Sequence, residues 1–343
     1  MHKIFYIFLI LTTSFLFAEY KNTNGIASDK SFGDMLKWIR SDVEPEITKI
    51  ELSSDWQKLN LSEDDNYAIW IGHSTFLIKK NGVTIITDPI FSKRASPFKN
   101  IGPKRLIPPA IPLDEIPNID IITVSHNHYD HLDIHSLKKI AKKHPEAIFL
   151  VPTGDEKLLK RKKIKNVFSF NWWESIEHKN FVVTFTPVQH WSKRSLFDRN
   201  KSLWGGWFIN HKDYSIYHAG DTGYSKDFID TKLKLGSPKY AFIPIGAYDP
   251  EWFMAESHVN PEDAVQIMLD LEAEKGFGMH WATFTLTDED TIEPKIRLEN
   301  AVKNNGEIVV QIDEKYFRPE EVERLLAVAR VVDQRWTKLP ALI

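Results

Sequence analysis

The residues able to do chemistry gather in one short stretch. Ser125-His126-Asn127-His128-Tyr129-Asp130-His131-Leu132-Asp133 puts three imidazoles and two carboxylates side by side. The stretch follows an apolar run, Ile119 to Val124, that reads as a buried strand. It precedes a helix that Asp133 can cap. In an extended segment His126 and His128 project to the same side. Asp130 and His131 fall where the chain turns into the helix and can face a second point nearby. Four such donors on one strand-to-helix turn suit two metal ions sharing a loop. Imidazole with carboxylate is a zinc donor set, with iron or manganese as alternatives. Cysteine is absent, so thiol nucleophiles, sulfur-ligated metals and disulfides are excluded together.

Partners recur at later strand ends. Phe181 to Gln189 ends in His190, Ser215 to Gly220 ends in Asp221, and Gly278-Met279 ends in His280. Each alone would be an ordinary hydrogen-bonded side chain. With the first motif they make one metal site.

These positions need strands to hold them. Tyr67–Ile71, Thr75–Ile78 and Val83–Thr87 are short apolar runs, and Asn81-Gly82 between the last two is a hairpin turn. Further strands are expected at Ile119–Val124, Ile148–Val151, Phe181–Thr186, Gly206–Ile209, Ser215–Tyr217, Tyr240–Ile245 and Glu307–Ile312. Helices are expected from Phe32 to Arg40, from Asp133 to about Lys143, after the cap Asn260-Pro261-Glu262-Asp263, and from Arg318 to Val332. Strands with interleaved helices and no glycine-rich phosphate loop imply an α/β fold with mixed sheets.

Composition agrees. Of 343 residues, 42% are hydrophobic and 27% charged, which excludes disorder and collagen-like repeats. The 44 basic and 47 acidic residues leave a net charge of −3, so nothing global favours nucleic acid.

The motifs resemble those of the metallo-β-lactamase superfamily, and more closely its N-acylphosphatidylethanolamine-hydrolysing phospholipase D branch. The likeness runs through Trp70-Ile71-Gly72-His73-Ser74-Thr75, Thr87-Asp88-Pro89 to Pro97, Gly102-Pro103-Lys104-Arg105, Ser125 to Asp133, His258-Val259-Asn260-Pro261-Glu262-Asp263-Ala264, and His280-Trp281-Ala282-Thr283-Phe284. The resemblance implies a four-layer αββα sandwich with its site at one edge of the paired sheets. It implies two Zn2+, with iron or manganese as substitutes: His126, His128 and His190 on the first, Asp130, His131 and His280 on the second, and Asp221 between them. It implies a phosphodiesterase that splits N-acylphosphatidylethanolamine-like phospholipids into phosphatidic acid and an N-acylethanolamine. A lactone or another phosphodiester is the alternative substrate of the same site.

Asp130 and His258 are then the catalytic candidates, for proton acceptance and for help to the leaving group. Ser257, His258 and Trp281 are the candidate substrate contacts. His73, His218 and Asp88 are expected to orient ligands or to pack. Trp172, Trp173, Trp191, Trp204, Trp207, Trp252, Phe253 and Trp281 could line an acyl groove or fill the core. The lysines and arginines of 138–165 could meet anionic lipid headgroups. The expected partners are therefore a phospholipid substrate and a membrane surface, and no nucleic acid.

The chain reads as a signal peptide over 1–18, an extension over 19–60, the hydrolase domain over 61–313 and a helical tail over 314–343. Lys3 precedes an apolar run from Ile4 to Phe17, and Ala18 could precede a cleavage site. That run is shorter than the roughly 20 residues of a membrane-spanning helix. The expected location is periplasmic or secreted, with an uncleaved membrane anchor as the alternative.

Overall fold

The computed structural model describes residues 20–26, 30–41, 43–48, 50, 55–63, 66–305 and 310–311. The expected signal peptide and the expected helix at 318–332 lie outside them.

Strands β1 (Tyr67–Gly72), β2 (Thr75–Lys80), β3 (Val83–Thr87), β4 (Ile121–Thr123), β5 (Ile148–Pro152) and β6 (Val167–Phe170) form the first sheet in chain order. The first three are antiparallel, with Leu77 opposite Ile86. The turn between β2 and β3 uses Asn81 at φ 50 and Gly82 at φ 75, the positive pair that a tight hairpin needs. From β3 to β6 the pairing is parallel. Here α1 is Phe32–Arg40, α2 is Ile134–Lys143 and α3 is Glu156–Arg161.

The period of two along each strand decides the layers. Tyr67, Ile69 and Ile71, with Leu77, Ile86 and Ile122, share one core with Leu137 and Ile140 of α2 and Leu159 of α3. Their neighbours Ala68, Trp70, Phe76, Ile78 and Ile85 belong to the core shared with the second sheet. There the rings of Phe76 and Phe242 lie 4.2 Å apart.

The second sheet runs β13-β12-β11-β10-β9-β8-β7. Its strands are β7 (Ser175–His178), β8 (Phe181–Thr186), β9 (Gly206–His211), β10 (Tyr214–His218), β11 (Tyr240–Pro244), β12 (Lys275–Met279) and β13 (Val310–Gln311). Its helices are α4 (Asp227–Leu235), α5 (Glu251–Met254), α6 (Pro261–Asp270) and α7 (Glu293–Asn305). Ala264, Val265 and Met268 of α6 and Leu298 of α7 cover this sheet. The architecture is the αββα sandwich that the motifs imply.

Two strands escape the sequence pattern for one reason. β6 and β7 lie at sheet edges and are half exposed, so neither carries the apolar run that marks a strand. The stretch expected as a last strand at 307–312 is described only at Val310–Gln311, which pairs in parallel with Gly276–Phe277.

The segment ahead of residue 61 is built into the domain. Ser31 and Asp34 form a capping box that starts α1. Met35 and Trp38 then pack on Phe253 and Met254, and the Trp38 indole donates to Asp288 at 2.9 Å.

Strand direction positions the site. β1, β3 and β4 run one way in the first sheet, and β8, β10, β11 and β12 run one way in the second. Their carboxyl ends collect on one edge, which is where ligand-binding loops gather in such sheets. Residues 73, 126–131, 190, 221, 247 and 280 all follow those ends.

Candidate metal centre

The donor atoms of His126, His128, His190 and Asp221 lie within 4.8 Å of one another. So do those of His73, Asp130, His131 and His280, and those of Asp221, His258 and His280. Asp221 joins the groups. Its Oδ2 lies 3.1 Å from His131 Nε2 and 3.1 Å from His280 Nε2. The same atom lies 3.8 Å from His126 Nε2 and 3.9 Å from His190 Nε2. Asp130 Oδ2 stands 3.4 Å from His131 Nε2 and 3.3 Å from His280 Nε2.

The imidazole orientations follow from bonds behind them. The buried carboxylate of Asp88 accepts from His131 Nδ1 at 2.7 Å and from Ser125 Oγ at 2.6 Å. Because Ser125 gives its proton to Asp88, its oxygen accepts from His126 Nδ1 at 3.0 Å. His190 Nδ1 donates to the Ser257 carbonyl at 2.9 Å. Each of these three rings therefore turns its Nε2 inward, as ligating histidines do.

Local backbone makes these bonds reachable. Gly220 has φ 64, and a Cβ on it would stand 2.5 Å from Ser125 Cβ. Only glycine lets the Asp221 turn close on the Ser125 turn. His73 and His280 also have positive φ, at 58 and 66. Their strained turns are held by His73 N donating to Thr283 Oγ1 at 2.7 Å and His280 N donating to the His73 carbonyl at 3.2 Å.

A cation fits this arrangement. His126 Nε2 lies 2.8 Å from His128 Nδ1, and His190 Nε2 lies 3.3 Å from that same atom. His128 Nδ1 can offer one proton at most, so two inward lone pairs face a single donor. Asp221 Oδ1 is buried with no hydrogen-bond partner, and Asp221 Oδ2 is shared between the Nε2 atoms of His131 and His280. Groups like these cost free energy when left unmet, and a metal ion satisfies several at once.

The charges point the same way. Burial holds His126 and His190 well below the usual imidazole value and His128 down to about 3. Burial also opposes protonation of His131, but the charges of Asp221 and Asp130 raise it well above the usual value. The same contest, burial against Asp221, leaves His280 raised to about 9. Without a metal, the carboxylates keep protons on these two rings.

The remaining candidates fall into place. His73 Nε2 lies 2.9 Å from Asp130 Oδ2, and its ring sits 4.0 Å from that of His280, so it supports two donors and itself stands among them. His218 Nε2 donates to the Ser74 carbonyl at 2.9 Å, a packing role. His258 Nδ1 lies 3.9 Å from Asp221 Oδ2, and burial lowers the ring to about 4.

A cavity of ≈ 130 Å3 opens over the centre. On that measure one water needs roughly 10–15 Å3, so the cavity has room for a group the size of a phosphodiester headgroup. His128, Asp130, Asp221 and His258 form its metal side, and Trp38, Phe253, Met254 and Leu286 its apolar side. Ser257 lines it too.

Trp281, expected to touch substrate, does not line this cavity. It is 3% exposed and stacks on Trp70 at 5.5 Å, because the turn after His280 points the indole into the core. Trp204 and Trp207 are core as well, and of the aromatic set only Trp191 and Phe253 line the cavity. Sequence reasoning missed the Ser125 relay and the contribution of α1. The serine was visible inside the motif. Nothing local marks Trp38, since a distant contact brings it to the cavity.

The chain and its fold have counterparts among known proteins. Residues 83–281 match the family described as beta-lactamase superfamily domain. An N-acyl-phosphatidylethanolamine-hydrolyzing phospholipase D of Saccharomyces cerevisiae is 42% identical over 247 residues, covering 70% of this chain and 52% of that protein. The chain thus spans about half the length of that relative. A Caenorhabditis elegans protein, N-acyl-phosphatidylethanolamine-hydrolyzing phospholipase D 1, is 39% identical over 69% of this chain and 70% of its own length. Among solved structures, a metallo hydrolase from Ignicoccus hospitalis superposes with a TM-score of 0.56 at 21% identity, covering 74% of this chain and 98% of that one.

One pH dependence follows. A metal must displace the protons that Asp221 and Asp130 keep on His131 and His280, so affinity rises with pH up to about 9, the value for His280. Calorimetric zinc titration of stripped protein, in buffers of different ionisation heat, should show proton release at pH 7. The affinity should climb roughly tenfold per pH unit for each proton lost. Binding without proton release would refute the protonated rings.

Proposed function

The chain belongs to the metallo-β-lactamase superfamily, and from that premise we propose that it is a metal-dependent phosphodiesterase of phospholipase D type. Its substrates are N-acylphosphatidylethanolamine-like phospholipids, and its products are phosphatidic acid and an N-acylethanolamine. The supporting observation is a pair of donor groups joined by Asp221 on one side of a headgroup-sized cavity, in a chain about 40% identical to two proteins named for that reaction.

His126, His128 and His190 would hold one ion and Asp130, His131 and His280 the other, with Asp221 between them. Zinc suits the all-nitrogen-and-oxygen set. When bound, a divalent pair lowers the pKa of water and neutralises phosphoryl oxygens. The protein's own residues do the rest. Water adds to phosphorus, the bond to the ethanolamine oxygen breaks, and that oxygen takes up the proton the water gave up. Asp130 lines the cavity, and in this reading it accepts the proton of the attacking water. His258 faces the same space and is neutral at neutral pH, so it assists the leaving oxygen through an N–H hydrogen bond and not as an imidazolium. Trp38, Phe253 and Met254 exclude water from one side.

A membrane surface is the partner that this reading requires. Four of the segments lining the cavity carry exposed apolar side chains beside their lining residues: Phe98 and Ile101 between Ala95 and Pro103, Leu196 and Phe197 between Lys193 and Arg199, Phe32 between Lys30 and Trp38, and Trp252 beside Phe253. Such a rim would enter the interfacial layer and bring a headgroup to the cavity. The basic stretch at 138–165 is placed less well. Its lysines and arginines are exposed on and around α2 and α3, do not line the cavity, and include Lys143, which is tied to the carbonyls of Leu113, Asp114 and Ile116. A periplasmic or secreted location remains part of the proposal and rests on the apolar run Ile4 to Phe17 alone.

The direct test is metal analysis of the purified protein with a panel of N-acylphosphatidylethanolamine, phosphatidylcholine, cyclic nucleotides and lactones. About two metals per chain and chelator-sensitive cleavage of the first are expected. Lactone turnover without phospholipid turnover would favour the alternative substrate and overturn this reading.

His258→Ala should lower kcat by about 100-fold or more with little change in KM and unchanged metal content. Loss of metal instead would make His258 a ligand. Introducing Asp at both Phe98 and Phe197 should abolish binding to vesicles while leaving turnover of a detergent-dispersed short-chain substrate within about twofold. Undiminished vesicle binding would remove the rim from the membrane contact.

A further inference from the structure

Loop 191–200 carries a buried cation on the cavity wall. Lys193 lies on the cavity wall and is 1% exposed. Among the described residues its ammonium has no hydrogen bond and no ion pair. A lysine that buried is rare, and one without a partner is costly.

Its neighbours show that the isolation is particular to this side chain. Arg194, next in sequence, donates to the Asn127 carbonyl at 2.9 Å and lies over the Tyr129 ring at 4.1 Å. Lys30, also at the cavity, is paired with Glu256 at 2.8 Å. The carboxylate nearest along the loop, Asp198, spends its Oδ1 on the backbone N–H groups of Arg194 and Ser195, at 3.0 and 2.7 Å.

The loop is fixed in place. Asn200 N donates to the Ser192 carbonyl at 2.7 Å, and Ser192 N donates to Asn200 Oδ1 at 3.1 Å, which closes its base. The Tyr129 hydroxyl donates to the Arg194 carbonyl at 2.8 Å, which ties the loop to the donor turn. Arg199, another lining residue, stacks on Trp191 at 4.4 Å, and Trp191 meets the His128 ring edge-on at 4.4 Å. Two cations thus face one space whose other wall is the metal centre.

We propose that Lys193 and Arg199 form an anion subsite of this cavity, which binds a negatively charged phosphoryl oxygen of the phosphodiester headgroup. The proposal rests on the phosphodiesterase reading for its substrate, and on the buried unpaired ammonium for its site. Burial and then the charge of Arg199 push Lys193 down to about 8, a cost that an anionic oxygen would remove. The subsite separates charged phosphodiesters from neutral esters that the same centre could cleave.

The test uses the metal-loaded wild type, Lys193→Gln, Lys193→Arg and Arg199→Gln, with metal content measured for each. Equilibrium binding of glycerophosphoethanolamine and of inorganic phosphate is followed by tryptophan fluorescence and calorimetry. Turnover is measured with anionic bis(p-nitrophenyl) phosphate and with paraoxon, a neutral phosphotriester. Lys193→Gln should weaken glycerophosphoethanolamine binding and kcat/KM for the anionic diester by about 10- to 100-fold, as expected for a hydrogen bond to a charged group. The neutral triester should change by less than about twofold, and Lys193→Arg should recover most of the loss. If Lys193→Gln does not fold with its metals, Arg199→Gln should show the same selectivity in weaker form. Equal glycerophosphoethanolamine affinity in the variants and the wild type, or an equal fall with both substrates, would overturn the subsite. Tighter binding of inorganic phosphate than of the diester would also overturn its assignment to the headgroup. If neither compound is cleaved, the phosphodiesterase reading fails, and the binding measurements still decide the subsite.

Discussion

One buried carboxylate sets the geometry of the site. Asp88 has no contact with solvent, and burial alone would raise its pKa. The hydrogen bond and charge of His131, followed by His218 and Ser125, hold it below the usual carboxylate range instead. A charge so placed persists only when every lone pair is engaged. The engagement is also the positioning device. His131 turns its free nitrogen inward because its other nitrogen is bound to Asp88, and His126 does so through Ser125.

This anchoring works because the sandwich brings separate carboxyl ends together. Asp88 follows β3, Ser125 and His126 follow β4, His190 follows β8, Asp221 follows β10, and His280 follows β12. Parallel alignment within each sheet delivers them to one edge, and packing of the two sheets brings the edges into register. Close approach of the Asp221 and Ser125 turns then depends on Gly220 having no side chain. Strain is concentrated here as well, at His73 and His280 with positive φ, where surrounding hydrogen bonds hold unfavourable backbone.

The cavity has a different origin. Its metal side comes from the strand ends, while its other walls come from segments that hold none of the metal donors: α1, the loop from Ala95 to Pro103, the loop from Trp191 to Asn200, α5, and Leu286 with Thr287. These pieces place apolar and cationic side chains around a small polar floor. That combination suits a molecule with a charged head and an apolar body.

The sequence by itself determined the donor set. Spacing put His126, His128, Asp130 and His131 on one turn, strand-end positions added His190, Asp221 and His280, and the lack of cysteine excluded sulfur. Apolar runs such as Tyr67–Ile71 and the caps at Asp133 and Asn260 made most buried strands and two of the helices legible, because these signals are local. The half-exposed edges β6 and β7 lacked such a signal. Only the tertiary structure decided that His73 contacts Asp130, that Ser257 serves His190 through its carbonyl, and that Trp281 turns into the core. It alone placed Trp38 and Lys193 on one cavity. The physical reason is reach: residue type and spacing set what a side chain can bind, whereas long-range packing sets what it meets.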